Sequence, residues 1–509
     1  MKKYSDLEYL RLSKPKKFLY KFLSFFAAIP VAILNFFKKI GRFFKKIGVG
    51  IVNELKDIAV TFKEGDARTR ISYVVMGYGS IRRGQILRGL MFFLFEAVFI
   101  AYMVLSGGYW LSMLPSLGKV GPKEVYNELL DTYSYQYNDN SFQILLYGVL
   151  TIFFIIAFIF TWRLNIKQNK ISQQILKSGK KLKSGRDDLR SLVDDQFHKT
   201  LLALPMTGIV VFTVLPILFM ILVAFTNYDG SHDGYINNLF TWVGLDNFNT
   251  MLSWSSGTHS YAATFGDILL WTLIWAFFAT FTNYFLGMLV AMMINKKGIR
   301  LKKMWRTILV LTIAIPQFIS LLYVSKMFAK NGIVNGLLMD LGWISEALPF
   351  WEDPTWARIT VILINIWIGI PYLMLIATGI LMNIPQDLYE SSKIDGASPW
   401  KQYTKITLPY MLFVTGPYLL TSFTSNMNNF NVIFLLTGGG PTNAAASWAS
   451  GSVGDTDLLI TWLFKITTGA ESQYYLASVI GILVFAVVAV VSLVVYSLLP
   501  STRNEEDFQ

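Results

Sequence analysis

The sequence has no cysteine and only three histidines in 509 residues. The absence of cysteine excludes disulfides, thiolate metal sites and cysteine nucleophiles, and three isolated histidines argue against a histidine-built metal centre. Charged residues are also scarce, at 15% of the chain against roughly 25% in soluble globular domains. No P-loop, nucleophile elbow or H-E-x-x-H motif occurs. We therefore expect no catalytic residue and no metal site. A protein that forms a passage for a solute fits the composition better than an enzyme.

Hydrophobic residues are abundant, at 53% of the chain with a mean hydropathy of +0.46. A membrane-spanning helix needs about 20 mostly apolar residues. Because backbone groups in lipid must pair within the protein, such segments are helical. The sequence predicts an all-α integral membrane protein with eight transmembrane helices, at 86–108, 143–162, 202–226, 267–294, 307–326, 359–381, 410–436 and 476–499.

The lysines and arginines give the orientation of these spans. The net charge is +13, and 38 of the 45 basic residues fall on one side of the predicted membrane. The positive-inside rule then places both termini in the cytoplasm of a multi-pass plasma-membrane protein. In such a protein the basic excess indicates anionic lipid as the partner rather than nucleic acid.

The N-terminal region, 1–85, is basic and amphipathic. Its apolar run at 22–37 is short and is interrupted by Pro30 and Asn35. The segment that follows places apolar and basic residues on opposite sides of a helix: Phe36, Phe37, Ile40, Phe43, Phe44 and Ile47 against Lys38, Lys39, Arg42, Lys45 and Lys46. This pattern is typical of a helix on an anionic inner leaflet. An interfacial helix is the favoured interpretation, and a further crossing at 22–37 is the alternative.

Glu96 lies in the middle of the first predicted span. An ionisable group at that depth is costly and by default suggests function. The favoured interpretation is a hydrogen-bonded carboxyl that bridges to a neighbouring helix, since a proton-coupled carrier is expected to have more than one such group. A role in proton coupling is the alternative.

The cytoplasmic loop 382–409 predicts a compact helix–turn–helix. Pro385 suits a first helical turn, and Gly396 suits the left-handed turn that ends a helix. Ser398 and Pro399 form an N-cap and a first helical position, and Pro409 is expected to open the next span. A rigid element between two membrane helices can transmit force.

This loop resembles the "EAA" loop of ABC-importer permeases. The matching residues are Glu390, Ser391, Ser392, Asp395, Gly396, Ile406, Leu408 and Pro409. In that family the loop docks in a cleft of a separate ATPase subunit, so the resemblance implies that ATP and Mg²⁺ bind in partner subunits and that this chain needs no cofactor. Ser-Ser replaces the usual Ala-Ala and preserves small size.

Further segments resemble the larger permease subunit of maltose and maltodextrin importers, the MalF type: 240–248, 365–374, 426–430 and 435–441. The resemblance implies a six-helix type I core at 201–499, two peripheral spans within 86–200 and a short cytoplasmic tail at 500–509. It also implies a second, smaller permease of the MalG type, two ATPase subunits and an extracellular sugar-binding lipoprotein. The loop after the third span is far shorter than the enteric periplasmic domain, which suits a Gram-positive cell.

Polar residues in the sixth and seventh spans predict a sugar site. Ser422, Ser425, Asn426 and Asn429 have the spacing of one helical face, and polar groups at that depth need partners or a watery cavity. Gly369 and Pro371 are expected to loosen the sixth helix beside Tyr372. Hydrogen bonds between helices, or a simple kink, are the alternatives.

The resemblance implies sugar contacts at Asn365, Ile368, Gly369, Tyr372, Ser422, Ser425, Asn426, Asn429 and Asn431. Ser425 and Asn431 replace residues that are apolar in the enteric pattern, which leaves chain length and linkage of the sugar open. The expected function is import of maltose or maltodextrin. A permease for another oligosaccharide or a polyol is the first alternative, and an ion-coupled secondary transporter is a distant one.

Overall fold

The computed structural model describes residues 13–127, 131–182, 185–253, 260–296, 298–446, 448–449 and 451–498. The predicted tail at 500–509 lies outside this part of the chain. Contacts divide the protein into two compact units, Leu34–Asn247 and Phe248–Gln509 together with Met1–Ile33. We refer to them as the N-terminal and C-terminal units.

The first helices along the chain belong mainly to the N-terminal unit. They are α1 Lys14–Glu64, α2 Ala67–Ile71, α3 Tyr78–Ile81, α4 Ile86–Met113, α5 Ser141–Lys177, α6 Gly185–Val193, α7 Phe197–Val223 and α8 Asp246–Leu252. The loop after α4, for which the sequence suggests at most a short helix, carries the antiparallel hairpin β1 Lys123–Asn127 and β2 Thr132–Gln136.

The later helices belong to the C-terminal unit. They are α9 Tyr261–Asn295, α10 Lys302–Ala314, α11 Gln317–Met327, α12 Ile333–Asp340, α13 Pro354–Leu381, α14 Gln386–Ile394, α15 at 399–427, α16 Phe430–Thr437, α17 Leu459–Thr468 and α18 Tyr474–Leu498. Trp271, Trp275, Leu321, Val361 and Ile433 lie in one buried core cluster of this unit.

The predicted all-α membrane architecture is confirmed. Within the described residues, seven helical segments are long and apolar enough to cross a membrane, and a bent pair raises the number to eight. The bent pair is the predicted fifth span: α10 and α11 meet at 90°. Pro316 explains the break, because a proline disfavours helical backbone at the residue before it, and Ile315 is extended.

Two spans contain prolines that the helix tolerates because a π-helical turn precedes each one. Pro216 follows the π-turn Val210–Val214, and Pro409 follows the π-turn Tyr403–Thr407. A proline lacks the N–H that would bond four residues back, and the wider turn lies where that bond would form. Pro409 therefore does not open a new helix as the sequence suggested; α15 runs without interruption from 399 to 427.

Glu96 has a structural role in the N-terminal unit. Its side chain is buried, and Oε2 accepts a 2.7 Å hydrogen bond from the backbone N–H of Met76. Asn165 also binds backbone groups of this loop: its Nδ2 donates to the Ser72 carbonyl and its Oδ1 accepts from the Gly77 N–H. Backbone groups away from water need such partners, so the carboxyl fixes the loop between α2 and α3.

The helix α1 passes through Pro30 and Asn35 without a break, and all side chains of its apolar run at 22–37 except Leu34 lie outside the described part of the chain. Its second half is fixed to α5 by ion pairs from Arg163 to Glu54 and Asp57, and from Lys170 to Asp57. On another face Phe43, Phe44, Ile47, Ile51 and Leu55 are exposed. The side chains of Phe36, Phe37 and Ile40 lie outside the described part of the chain.

A buried ion pair stabilises the loop between α16 and α17. Asp457 is 1% exposed, and its carboxylate accepts hydrogen bonds from Lys465 at 2.7 Å, from the Thr461 hydroxyl and from the Gly454 N–H. Burial raises the pKa of Asp457, and Lys465 opposes that effect. Removing one partner of a buried pair is costly because the other is left uncompensated.

We therefore predict that Asp457→Ala lowers the stability of the purified chain by roughly 2–4 kcal/mol. Thermal unfolding in detergent measures this as a lower Tm. Asp340→Ala is the matched control, since Asp340 is an exposed carboxylate at the end of α12. Equal Tm values for both variants would show that the ion pair does not support the loop.

Candidate functional site

Three membrane helices of the C-terminal unit bring polar side chains together in the middle of their spans. The helix α9 widens into a π-turn at Phe278–Thr282. The helix α13 contains Pro371 in its interior. The seventh predicted span breaks at Asn428 and Asn429, between α15 and α16. Local departures of this kind free backbone groups and often occur at functional sites.

Asn426 links α15 to α9. Its Nδ2 donates to the Thr280 hydroxyl at 3.0 Å, and its backbone carbonyl accepts from Trp275 Nε1 at 3.1 Å. Its Oδ1 accepts from Asn429 Nδ2 at 3.3 Å. Asn426 is half-buried, and both its side chain and its backbone stabilise the contact between α15 and α9.

The prediction that four polar residues share one helical face is wrong for one of them. Ser422, Ser425 and Asn426 lie on α15, but Asn429 lies beyond its end. Asn429 caps α16 instead, where its side chain accepts from the Val432 N–H. Asparagine competes with helical backbone hydrogen bonds and so favours caps, which explains the break.

Asn283 and Asn365 face each other across α9 and α13. Asn283 Nδ2 donates to the Ala279 carbonyl at 2.8 Å and to the Asn365 carbonyl at 3.4 Å. The two side chains are 5% and 6% exposed, yet Asn283 Oδ1 and Asn365 Nδ2 have no hydrogen-bond partner among the described residues. A buried polar atom without a partner costs about 1–3 kcal/mol, so these atoms favour a ligand hydroxyl or water.

Gly369 is required by packing rather than by flexibility. A Cβ at this position would lie 2.3 Å from Asn283 Nδ2. The helix α13 continues through Gly369 and Pro371, so the expected loosening of the backbone is not observed. The small residue instead allows α9 to approach α13 closely, as glycine does between membrane helices.

The other predicted sugar contacts have varied surroundings. Ile368 packs against the core cluster of the C-terminal unit, and Ser422 interacts with the Tyr418 hydroxyl. Tyr372 is 52% exposed, and Ser425 and Asn431 are also exposed in the single chain. The sequence interpretation missed Thr280 and Asn283, although an asparagine in the middle of an apolar span was a signal for them.

The loop 382–409, called the coupling loop below, consists of α14 and the start of α15 joined by a tight turn. The helix α14 starts at Gln386 after Pro385, which is the N-cap residue rather than part of the first turn. Gly396 has a φ of +72°. Ser398 accepts from the Lys401 N–H and Pro399 takes the first helical position of α15, as predicted.

Side-chain hydrogen bonds join α14 to the start of α15. Gln402 Nε2 donates to the Tyr389 carbonyl at 3.2 Å and to the Ser392 hydroxyl at 2.8 Å. The Tyr389 and Thr407 hydroxyls are 2.8 Å apart. The loop is therefore a braced element, and Tyr389, Thr407 and Gln402 provide rigidity that the motif alone did not reveal.

The outer surface of this loop is both charged and apolar. Glu390, Ser391 and Asp395 are exposed, and so are Ile394 at 87% and Trp400 at 72%. Leu408 and Pro409 lie in α15. Exposed large apolar side chains with charges around them are typical of a surface that binds another protein.

The described residues contain no group of three or more His, Asp or Glu side chains that could hold a metal ion. The polar cluster around Asn283, Asn365 and Asn426 contains amides and hydroxyls and no charged side chain. Such groups donate to and accept from neutral ligands and offer nothing for acid–base or nucleophilic chemistry.

The chain belongs to the family described as binding-protein-dependent transport system inner membrane component, whose family model matches residues 283–504. It is a membrane-spanning permease subunit of a sugar ABC importer. It is 31% identical over 455 residues to the maltodextrin transport system permease protein MalC of Streptococcus pneumoniae, covering 87% of this chain and 98% of that one.

Other relatives have related descriptions. Identity is 31% over 424 residues to the galactooligosaccharides transport system permease protein GanP of Bacillus subtilis, covering 82% of this chain and 94% of that one. The chain is 36% identical over 230 residues to the maltose/maltodextrin transport system permease protein MalF of Escherichia coli K12, covering 45% of this chain and 44% of that one. A solved bacterial alginate ABC transporter aligns with a TM-score of 0.49 at 20% identity, covering 63% of this chain and 99% of that one.

Proposed function

We propose that this chain is the larger permease subunit of an ATP-driven importer of maltodextrins. The observation that carries the substrate class is the uncharged cluster around Asn283, Asn365 and Asn426, with two buried amide atoms that lack partners. Sugar hydroxyls donate and accept, so they match both atoms. A relative described as a maltodextrin permease, aligned over 98% of its own length, supports the choice of sugar.

A galactooligosaccharide is the second candidate, because a permease so described is as similar in identity. Uptake of radiolabelled maltotriose and galactotriose into proteoliposomes that hold the assembled importer separates the two. Saturable, ATP-dependent uptake of maltotriose, with little competition from galactotriose, is the expected result. The reverse preference would reject the maltodextrin assignment and keep the sugar permease.

Transport requires partners that bind on both sides of the membrane. We infer a second, smaller permease, two ATPase subunits that bind ATP and Mg²⁺, and an extracellular sugar-binding lipoprotein. The braced coupling loop, with Ile394 and Trp400 exposed at its surface, is the docking element for one ATPase subunit. Closure of the ATPase dimer would move α14 and α15 and alternately open the polar cluster to either side.

We also propose that both termini are cytoplasmic and that α1 lies on the inner leaflet. The ion pairs to Arg163 and Lys170 fix one face of the helix, while the exposed stripe from Phe43 to Leu55 is free to enter lipid. The basic residues opposite this stripe are attracted to anionic headgroups. A Gram-positive cell, with its binding protein tethered outside, suits the short outer loops.

We predict that changing Lys38, Lys39, Lys45 and Lys46 together to Glu withdraws this helix from the membrane surface but leaves span insertion intact. Because the chain has no cysteine, Phe44→Cys accepts one environment-sensitive fluorophore. Its emission should shift to longer wavelength in the Glu variant, whereas Arg at the same four positions should leave it unchanged. Labelling of a cysteine at position 5 from outside the cell would overturn the topology.

A further inference from the structure

A cavity lies in the C-terminal unit, at the N-terminal end of α9. Its volume is about 180 Å³, far above the minimum of about 10–15 Å³ that one ordered water needs, so it has room for a small ligand. Its walls come from the first turns of α9, from Arg358 near the start of α13 and from the loop between α16 and α17. In the proposed orientation this is the extracellular end of the pathway.

The walls combine carboxylates, an amide and indole rings. Asp267 is exposed, and no hydrogen bond or ion pair of its side chain is found among the described residues. Asp455 is held in place: its Oδ1 accepts from Asn443 Nδ2 at 3.1 Å and lies 3.8 Å from Arg358. Trp271 and Trp448 also line the cavity, and Trp448 offers the open ring face, since Trp271 is buried beneath Arg358. Carboxylates bind pairs of sugar hydroxyls, and indole faces pack against sugar C–H surfaces.

Charge and ligand count argue against anions and metal ions. The lining holds three carboxylates, Asp267, Asp455 and Asp457, against Arg358 and the Lys465 that is bound to Asp457, so the cavity carries an excess of negative charge and disfavours anions. No group of three acidic or histidine ligands for a metal occurs among the described residues. Arg358 is itself engaged, with its guanidinium 4.9 Å above the Trp271 ring and Nε bonded to the Asp455 carbonyl. A neutral polyhydroxyl ligand fits these constraints.

One face of α9 connects this cavity to the central cluster. Trp271 lines the cavity, Trp275 donates to the Asn426 carbonyl one turn further on, and Asn283 follows three turns beyond Trp271. At 1.5 Å per residue, Trp271 and Asn283 are about 18 Å apart along the helix. We propose that the cavity is an outer subsite that binds one ring of a neutral oligosaccharide before it reaches the central cluster. This inference rests on the proposed sugar import.

The test uses the purified permease–ATPase complex without its binding protein. Equilibrium binding of radiolabelled maltotriose is compared for wild type, Asp267→Asn and Trp448→Ala. Each variant should weaken binding about tenfold, the effect of losing one charge-assisted hydrogen bond or one stacking face. Asp340→Asn and Trp343→Ala are matched controls, because both residues are exposed and lie outside the cavity, and both should bind as wild type does.

The outcomes separate this proposal from the proposed function. Asn365→Leu changes the central cluster and leaves the cavity intact. If Asn365→Leu weakens maltotriose binding while Asp267→Asn and Trp448→Ala do not, the outer subsite is rejected and the import function stands. If the cavity variants lose affinity for the binding protein but keep sugar affinity, the cavity is a protein contact and the proposal fails. A wild-type complex that binds no maltotriose would reject the outer subsite, and the uptake assay with the assembled importer would still decide the import function. Asp267→Asn removes no observed contact, so misfolding does not explain its effect.

Discussion

Gly396→Val and Glu390→Lys should each abolish sugar-stimulated ATP hydrolysis and transport while the chain still inserts into the membrane. Gly396 has a φ of +72° with open space around it, so the cost of a side chain arises from the backbone. A β-branched residue in the left-handed region costs roughly 1–2 kcal/mol or more, and relief of that strain would reorient α14 relative to α15. Glu390 is exposed on α14, so reversing its charge changes the docking surface without changing the fold.

Two variants on the opposite side of the predicted membrane control for general damage. Gly342→Val places the same residue at a glycine with a φ of +69° and open space, and Glu346→Lys reverses an exposed carboxylate. Both should keep ATPase copurification and turnover. The assay measures copurified ATPase subunit and ATP turnover in all four variants. Normal, sugar-stimulated turnover in both loop variants would mean that the loop is a connector only.

Asn365→Leu should lower sugar uptake at limiting sugar by roughly tenfold, the effect of one lost hydrogen bond to a hydroxyl, without lowering stability. Unchanged stability would distinguish a binding role of Asn365 from a structural one. Asn365 Nδ2 has no partner and the side chain is 6% exposed. Replacing an unsatisfied buried amide with an apolar side chain of similar size is neutral or stabilising.

Asn426→Leu should differ, because it removes the bonds to Thr280 and Asn429. It is expected to reduce both uptake and Tm. Asn428→Leu is the control, since Asn428 is an exposed asparagine in the same break whose Nδ2 has one long contact to the Thr424 carbonyl. Unchanged uptake in Asn365→Leu and Asn426→Leu, measured in proteoliposomes at low sugar, would remove this cluster from the pathway.

Local features of the fold were predictable because their causes lie within a few residues. The apolar runs predict the spans through the length of chain that crosses a bilayer. Gly396 and the Ser398–Pro399 pair predict the turn and the helix start, and both are observed. Pro316 marks the break in the fifth span in the same way, although the 90° angle between α10 and α11 depends on what each half packs against.

The central cluster shows where sequence patterns fail. Helical spacing placed Asn429 on the face of Asn426, but a capping bond to the Val432 N–H ends the helix before Asn429. The residue types Gly369 and Pro371 also suggested a loosened α13, whereas the role of Gly369 is to admit the Asn283 side chain of another helix. Helical periodicity predicts neither outcome. The first depends on a hydrogen bond to the Val432 N–H, and the second depends on a side chain from another helix.

The sequence by itself determined that this chain is a membrane protein with up to eight spans and a helix–turn–helix at 382–409, since bilayer thickness, charge bias and capping act on contiguous residues. Tertiary structure alone decided which polar atoms meet. Asn283 and Asn365 are 82 residues apart, and Trp271 and Thr456 are 185 apart. Contacts over such separations depend on how whole helices pack. A buried amide in an apolar span needs a hydrogen-bond partner, and helix packing decides which neighbouring helix provides it.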